Sequence, residues 1–456
     1  MIKKSKKNND RINKLLSRGI TSIGVTNYKS LMGSKEIEIR PLTIIAGSNS
    51  SGKSSIIQPL LLIKQTLEQS YDPGALLLNG PNARFTRATE ILPLNKNIDT
   101  FSVKVNVSNE LDVQVSFSHE ANKPGFKVSE MRYKNKENKA LITPDMDVSS
   151  DSAFLPDLMK SLYSSLADKD GIEEYIKFAV IRERSFLKIS LEMFHGDAKK
   201  RTSLVKFPDE KLDLIFRDII HLPGLRGNPE RTYPTTLIDS SFGDDKLPGT
   251  FEKYVASIVT HWQNNSASKL RKVEENLSKI GLTSKVKTEI INDTQVSISV
   301  GKSLSLDNNE YISIADVGLG VSQTLPVVVA LIYAQPGQMV YIEQPEIHLH
   351  PKAQYTLANL LVEAANRGVK VVVETHSSLL IRGIQTLVAE GVISNQLVKL
   401  HWFTRNELSS ETEINSSDLD ETGGFGDWPE DFDDVTMMAE IRYLDAAEKR
   451  EFERNA

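Results

Sequence analysis

The chain has 456 residues, of which 39% are hydrophobic and 25% are charged, and its formal net charge is −5. This length allows one large or two medium domains, and the absence of cysteine excludes disulfides, thiol nucleophiles and cysteine-ligated metal centres. No apolar run reaches the roughly 18 residues that a membrane-spanning helix needs, and the amino-terminal segment lacks the apolar stretch of a secretory signal. We therefore expect a cytoplasmic protein.

Charge is distributed unevenly between the two ends of the chain. Residues 1–18 carry seven Lys or Arg against one Asp, whereas residues 407–434 carry eleven acidic residues and no basic one. We divide the chain into a basic arm (1–19), a head (20–404) and an acidic segment with a terminal helix (405–456). In one interpretation, both ends are solvated. In the other, the arm contacts nucleic acid or a partner, and the tail docks a protein. The aromatic residues in GGFGDWPEDFDD favour docking for the tail.

The head begins with strand patterns. Residues 21–39 predict a hairpin-type pair of strands, and residues 42–55 predict a strand, a Gly/Ser loop and the start of a helix that Pro59 kinks. Between residues 101 and 117, apolar side chains alternate with polar ones, which predicts an antiparallel sheet with one solvated face.

An insertion is predicted at approximately 120–285. Residues 134–150 are polar and indicate a loop, and the segment FLKISLEMF indicates a strand. Helical patterns dominate 153–184, 208–221 and 250–280.

After strands at 286–300, buried strands alternate with helices. The predicted elements are helix 321–334, strand 339–343, helix 351–366, strand 369–374, helix 377–390 and strand 397–403. Continuous apolar strands between helices are typical of an α/β protein with a parallel sheet covered on both faces. The sequence has no sustained heptads, so we expect no long coiled coil.

A phosphate-binding loop is the first functional motif. Residues 47–54 match G-x-x-x-x-G-K-[ST] between an apolar strand and a helix, a setting that argues against a plain Gly/Ser turn. In such loops backbone N–H groups surround the phosphates, the lysine neutralises them and the hydroxyl ligates Mg²⁺. We expect Ser54 on the metal, and nucleotide contacts from Gly47, Asn49, Ser50, Ser51, Gly52, Lys53, Ser54 and Ser55.

The second motif is MVYIEQPEIHLHP, residues 339–351. A buried strand delivers Glu343 to the carboxyl end of the sheet, where a carboxylate can hold Mg²⁺. Gln344 follows it, and an amide can orient a water but cannot take its proton. Glu346 and the histidines of IHLHP compete for the role of base, and the alternative for Glu346 is capping at the entry of the next helix.

Two further motifs complete the predicted site. In IADVGLGVSQ, a glycine-rich turn presents backbone amides to an anion at the start of an apolar helix, through Gly318, Gly320, Ser322 and Gln323. In VKVVVETHSS, His376 follows a buried strand and is a candidate sensor of a γ-phosphate. We therefore expect catalytic roles for Gln344, Glu346 and His376, and metal binding by Ser54 and Glu343.

These four motifs, in this order, resemble the ABC-type ATPases of the RecF, Rad50, SMC and OLD group. The resemblance covers roughly 20–95 and 310–405. It implies ATP and Mg²⁺ as cofactors, with residues 47–54 as Walker A, VGLGVSQ as the signature motif, VYIEQ as Walker B and His376 as the switch histidine. It also implies an ABC-type head with a parallel P-loop core sheet, an antiparallel β lobe and an inserted helical region.

Several positions depart from that pattern. Val317 stands in the neighbourhood where the signature has its serine, and Gln344 replaces the catalytic glutamate. Gln58 and Gln65 are on the first helix, so neither is a clear Q-loop glutamine. About 50 residues follow the last predicted strand, too few for the Toprim domain of OLD nucleases. We therefore expect an ATPase that is not itself a nuclease.

Two functions follow from the resemblance. Within the group, EQPEIHLHP and ETHSS look like the DUF3696-type branch of AAA ATPases, whose members serve in anti-phage defence beside an HNH nuclease. Because Gln344 is not a general base, we expect slow hydrolysis. The ABC-type resemblance implies an ATP-sandwich homodimer or higher oligomer, and the branch implies regulation of a separate nuclease. The alternative is a RecF-like repair clamp that binds DNA directly. Arg226 and Arg231 contact phosphate or DNA in one interpretation, and form surface salt bridges in the other.

Overall fold

A six-stranded sheet lies at the centre of the molecule, and a second, antiparallel sheet covers one of its faces. The computed structural model describes residues 2–94, 97–167, 176–195, 200–209, 211–236, 247–302, 310–426 and 434–455. Its strands are β1 (Ile20–Tyr28), β2 (Leu31–Glu38), β3 (Leu42–Gly47), β4 (Thr100–Val107), β5 (Leu111–Ser118), β6 (Lys127–Lys134), β7 (Lys139–Ile142), β8 (Ile176–Glu183), β9 (Phe186–His195), β10 (Lys200–Phe207), β11 (Ile220–Leu222), β12 (Tyr233–Pro234), β13 (Val286–Asn292), β14 (Gln295–Gly301), β15 (Tyr311–Ser313), β16 (Met339–Glu343), β17 (Lys370–Glu374), β18 (Val398–Arg405) and β19 (Thr412–Asp418).

The helices alternate with strands in the second half of the chain, as the sequence predicts. They are α1 (Ile2–Leu16), α2 (Gln58–Leu67), α3 (Asp157–Ala167), α4 (Lys211–Arg217), α5 (Val255–Asn265), α6 (Ala267–Ile280), α7 (Leu319–Tyr333), α8 (Pro351–Asn366), α9 (Ser378–Ala389) and α10 (Asp434–Asn455). Among the described helices, none is both long and apolar enough to cross a membrane.

The core sheet has the strand order β11-β16-β17-β3-β18-β19. Its strands run parallel except β19, which pairs antiparallel with β18 and belongs to the segment after residue 405. The lobe is a six-stranded antiparallel sheet of order β2-β1-β4-β5-β6-β7, beside a three-stranded sheet of β8 to β10. A smaller sheet joins β12, β14, β13 and β15.

The alternation of side chains along each central strand produces two hydrophobic cores. On β3, Leu42 and Ile44 contribute to a core shared with helices α5 to α9, whereas Ile45 faces the lobe and α2. On β17, Val371 and Val373 face the helices and Val372 faces the lobe in the same way. Successive side chains of a strand point to opposite faces, so a continuous apolar run becomes a strand buried on both sides.

The structure confirms the predicted fold class: an α/β, ABC-type head with a parallel P-loop core sheet, an antiparallel β lobe and inserted helices. Among the described residues there is no long coiled coil. The basic arm is helical from Ile2 to Leu16, and Ile12 and Leu15 pack into the helix-side core. The stretch at 427–433, with its aromatic residues, lies outside the described residues.

Three sequence predictions about local structure are wrong. Pro59 does not kink the first helix but lies at its start, where its missing N–H has no partner to lose. Within the predicted loop 134–150, residues 139–142 form β7 at the edge of the lobe. Within the predicted helix 153–184, the described residues form a helix at 157–167 and strand β8 at 176–183, which pairs with β9.

Candidate nucleotide-binding site

The phosphate loop joins the end of β3 to the first turn of a short 3-10 helix, Lys53–Ile56. Gly47, Ser50 and Gly52 all have positive φ, at 142°, 60° and 93°. A Cβ on Gly47 would lie 2.1 Å from the carbonyl oxygen of Phe403, so only glycine fits there. The backbone therefore turns tightly around an open space, as a loop that presents N–H groups to phosphates must do.

Lys53 is held inside this loop. Its ammonium donates to the carbonyl oxygens of Gly47 at 3.1 Å and Ser48 at 2.7 Å. Burial lowers the pKa of Lys53, and the nearby Glu374 carboxylate partly opposes that shift. The lysine is thus a pre-positioned cation, and phosphate oxygens would be better partners for it than these two carbonyls.

A cavity of about 1040 Å³ opens over the loop, which is ample for a nucleotide. Nine of the residues predicted from sequence line it: Asn49, Ser50, Ser51, Gly52, Lys53, Ser54, Ser55, Gln344 and His376. The seven others do not: Gly47, Glu343, Glu346, Gly318, Gly320, Ser322 and Gln323. The structure thus brings the Walker A loop, Gln344 and His376 together and leaves the signature turn apart from them.

Gln344 lies at the start of the turn that follows β16. Its φ is 44°, and its backbone N–H donates to the carbonyl oxygen of Glu374 at 2.7 Å. This bond fixes the turn against the end of the neighbouring strand. Gln344 lines the cavity, at the position where the sequence pattern expects a catalytic carboxylate, and its Oε1 lies 3.4 Å from the position that a Cβ on Gly224 would occupy.

Glu343 is engaged on the far side of β16. Its Oε1 lies 3.1 Å from Nε2 of His221, and its Oε2 accepts from the backbone N–H of Gly224 at 3.1 Å. His221 stacks on Tyr341, with ring centroids 5.5 Å apart. Burial would raise the pKa of Glu343, but the hydrogen bonds from His221 and Gly224 bring it below the usual value.

Glu346 supports the backbone that carries the switch histidine. Its Oε1 accepts from the hydroxyl of Thr375 at 2.7 Å and from the backbone N–H of His376 at 2.8 Å, while Oε2 is buried without a partner. Burial raises the pKa of Glu346.

Burial and the charge of Lys53 lower the pKa of His376, and a hydrogen bond with the backbone of Gly47 opposes this shift. The imidazole is therefore biased towards the neutral form beside the phosphate loop.

Glu374 is the site residue that the sequence analysis missed. It ends β17 and is 6% exposed, and its carboxylate accepts from the Ser54 hydroxyl at 2.8 and 3.0 Å. Tyr341 also donates to it, at 2.8 Å. One signal was available: Glu374 is an acid at the end of a buried strand, in register with Glu343 on β16.

Residues outside the four motifs also line the cavity, including Lys29, Gln58, Glu90 and Arg405. The Lys29 ammonium donates to Gln58 at 2.7 Å and lies 4.4 Å from the centroid of the Phe85 ring. Burial lowers the pKa of Lys29 to about 8. Gln58 therefore reaches the cavity, whereas Gln65 is buried and bonds the backbone of Leu77 and Ala83.

The signature turn connects to the site through one buried arginine. Arg226 donates to the carbonyl oxygens of Glu343 at 2.7 Å and of Gln323 at 3.2 Å, and it is 7% exposed. The expectation of a surface contact by Arg226 is therefore wrong, because its donors are directed into the protein. Arg231 is exposed and forms an ion pair with Asp316 at 2.8 Å, as the salt-bridge interpretation predicts.

The site has the residues that a magnesium–nucleotide complex requires. Ser54 and Glu374 supply oxygen atoms, and Lys53 with the loop backbone supplies donors for phosphates. Among the described residues, no group of three or more His, Cys, Asp or Glu could hold a metal alone. This fits Mg²⁺, which usually takes one or two protein oxygens and completes its shell with phosphates and water.

The fold and the site define an AAA-type ATPase domain. A family model described as "AAA domain, putative AbiEii toxin, Type IV TA system" matches residues 42–382. The chain belongs to this family. No curated protein matches the sequence.

Solved structures that are similar to the chain include heads of SMC proteins. An SmcHead bound to the C-winged helix domain of ScpA is 11% identical, with 88% of this chain and 98% of that chain covered and a TM-score of 0.46. The SMC head domain from Thermotoga maritima is 10% identical, with 87% of this chain and 98% of that chain covered and a TM-score of 0.39. A third similar structure is an Smc head domain with an extended coiled coil bound to the C-terminal domain of ScpA, derived from Pyrococcus furiosus. It is 11% identical, with 93% of this chain and 99% of that chain covered and a TM-score of 0.45.

Proposed function

We propose that this protein is a slowly hydrolysing, cytoplasmic ATPase subunit that closes into a dimer around ATP and regulates a separate effector nuclease in anti-phage defence. One observation carries the catalytic part of this proposal. The residue that lines the cavity directly after β16 is Gln344, where the family pattern has a catalytic carboxylate. ATP then acts mainly as a conformational ligand.

The physical reason is proton transfer. An amide can hold the attacking water by hydrogen bonds, as a glutamine does in small GTPases, but it cannot accept the proton of that water. Loss of a general base costs on the order of 10²–10⁴ in rate. Neither Glu346 nor Glu343 is directed into the cavity to replace it, since their carboxylates are bonded to Thr375 and His221 respectively.

Turnover of ATP by the purified chain tests this part. We expect the wild type to bind ATP and hydrolyse it slowly, Gln344→Glu to hydrolyse it about 10²-fold faster or more, and Lys53→Ala to lose binding. Brisk hydrolysis by the wild type, with no gain in Gln344→Glu, would show that another residue supplies the base. Adding duplex DNA in parallel separates the two functions, because a RecF-like clamp binds DNA in its ATP state.

The effector part of the proposal rests on the resemblance of EQPEIHLHP and ETHSS to the branch that contains the Septu ATPase PtuA, which works with the HNH nuclease PtuB. The acidic segment after residue 405 is in keeping with a protein partner. A gene for an HNH nuclease beside this one, and plasmid cleavage by the copurified pair that depends on ATP, would support it. Cleavage that is insensitive to nucleotide would contradict it.

A further inference from the structure

The hydroxyl of Ser54 and the carboxylate of Glu374 lie in direct contact at the floor of the cavity. We infer that Glu374, rather than Glu343, is the carboxylate that binds the Mg²⁺ of the nucleotide together with Ser54. This inference rests on the proposed ATP site and deepens it, because it assigns the metal to a residue outside the four sequence motifs.

The distances between these two groups suit a metal. Octahedral Mg²⁺ has ligands at about 2.0–2.1 Å, so two adjacent ligand oxygens are separated by roughly 2.9 Å. Ser54 Oγ lies 3.0 Å from Oε1 and 2.8 Å from Oε2 of Glu374. A metal ion could thus replace the hydrogen bond between them without displacement of either oxygen, once the hydroxyl proton turns to another acceptor.

The strand order places Glu374 and not Glu343 beside the phosphate loop. Strand β17 pairs directly with β3, with Glu374 opposite Ile45 two residues before the loop begins, whereas β16 is separated from β3 by β17. Glu374 therefore emerges next to Ser54. Glu374 lines the cavity, and Glu343 does not.

Tyr341 orients the Glu374 carboxylate from behind. Its hydroxyl donates to Oε2 at 2.8 Å, and the ring is fully buried. Such hydrogen bonds to a ligating carboxylate are the usual way in which proteins fix the direction of a metal ligand.

Glu343 already has a partner for each oxygen. His221 contacts Oε1 and the backbone N–H of Gly224 donates to Oε2, both at 3.1 Å. A metal would have to compete with both of these contacts. We therefore assign Glu343 a positioning role: it connects the end of β16 to the segment that contains His221 and Gly224.

The test compares Glu374→Gln, Glu343→Gln and Glu130→Gln in the full-length protein. Glu130→Gln is the matched control, because Glu130 is a carboxylate outside the cavity that forms an ion pair with Arg132. Mn²⁺ serves as a spectroscopic probe: its affinity is titrated by electron paramagnetic resonance with a non-hydrolysable ATP analogue present. Calorimetric titration of the same analogue, with Mg²⁺ or with excess chelator, measures how much the metal strengthens nucleotide binding.

We expect Glu374→Gln to lose at least about 10- to 100-fold in Mn²⁺ affinity and most of the Mg²⁺-dependent gain in nucleotide affinity. Glu130→Gln should leave both unchanged, and Glu343→Gln should lose less than Glu374→Gln. Ser54→Ala is an independent second variant that should lose metal affinity without adding fully to the effect of Glu374→Gln. Thermal unfolding of each variant confirms that it is folded.

Two results would overturn the assignment. If Glu374→Gln keeps its Mn²⁺ affinity while Glu343→Gln loses it, Glu343 is the metal ligand. If Glu374→Gln keeps metal affinity but loses turnover, Glu374 is the general base instead. Both differ from failure of the proposed function, in which the wild type itself would not bind the ATP analogue with or without metal.

Discussion

At the scale of single residues, the same side-chain type has opposite roles five positions apart. Arg226 is buried and donates to backbone carbonyls of the β16 turn and of α7, whereas Arg231 forms an exposed ion pair with Asp316. Burial lowers the pKa of Arg226 to about 10, and the charge of Glu346 is the largest effect that opposes this shift. The guanidinium is thus a fixed internal connection between the Walker B turn and the signature helix.

Replacement of Arg226 by Met should destabilise the protein by about 3 kcal/mol, because buried carbonyl groups lose their donors. Arg231→Met is the matched control and should cost less than about 1 kcal/mol, since exposed ion pairs contribute little. Urea unfolding of both variants measures the difference. Equal losses would show that Arg226 does not hold the two segments together.

At the scale of elements, strand β18 connects the core sheet to the lobe through His401. Its Nε2 donates to the carbonyl oxygen of Glu38 at 2.8 Å, and its Nδ1 accepts from the Ser416 hydroxyl at 2.7 Å. These partners select the neutral tautomer with the proton on Nε2. Burial lowers the pKa of His401 from 6.5 to about 4.

This shift predicts a pH dependence of stability. The unfolded chain takes up a proton near pH 6.5 that the folded protein takes up only near pH 4, so the contribution of His401 is fully present above pH 6.5 and is lost as the pH falls towards 4. The loss amounts to at most about 3 kcal/mol. Urea unfolding at pH 7 and pH 4.5 should show a smaller loss on acidification for His401→Gln than for the wild type. An identical loss in both would contradict the prediction.

At the scale of the whole molecule, the two halves of the expected nucleotide site lie apart in one chain. The cavity contains the Walker A loop, Gln344 and His376, but none of the residues between Gly318 and Gln323. Gly318 and Leu319 are exposed at the start of α7. In the proposed dimer, a second copy would bring its signature turn to the nucleotide, and the exposed turn is available for that contact.

Gly318→Arg should block ATP-dependent association while leaving ATP binding by the single chain intact. An added Cβ at Gly318 meets nothing within 4 Å, so the substitution does not disturb the monomer. Sedimentation velocity with and without a non-hydrolysable ATP analogue measures association, and calorimetry measures binding. A variant that still dimerises on addition of the analogue would rule out this face as the interface.

Much of the fold was predictable because its signals are local. The continuous apolar segments at 339–343 and 370–374 and the helices between them follow from hydrophobic pattern and length alone. Strand β8, residues 176–183, was not predictable from local pattern. It is defined by its pairing with β9 across a tight turn in which Arg184 has a φ of 54°. Helical and extended patterns are ambiguous in such a segment until the partner strand is known.

For the site, the sequence by itself determined the phosphate loop, Gln344 and His376, since each depends on residue types at short spacing next to a strand end. Only the tertiary structure decided which carboxylate meets Ser54. The parallel order β16-β17-β3 puts Glu374 beside the loop and leaves Glu343 to His221, although both acids end buried strands. Strand adjacency comes from long-range packing, and no local pattern encodes it.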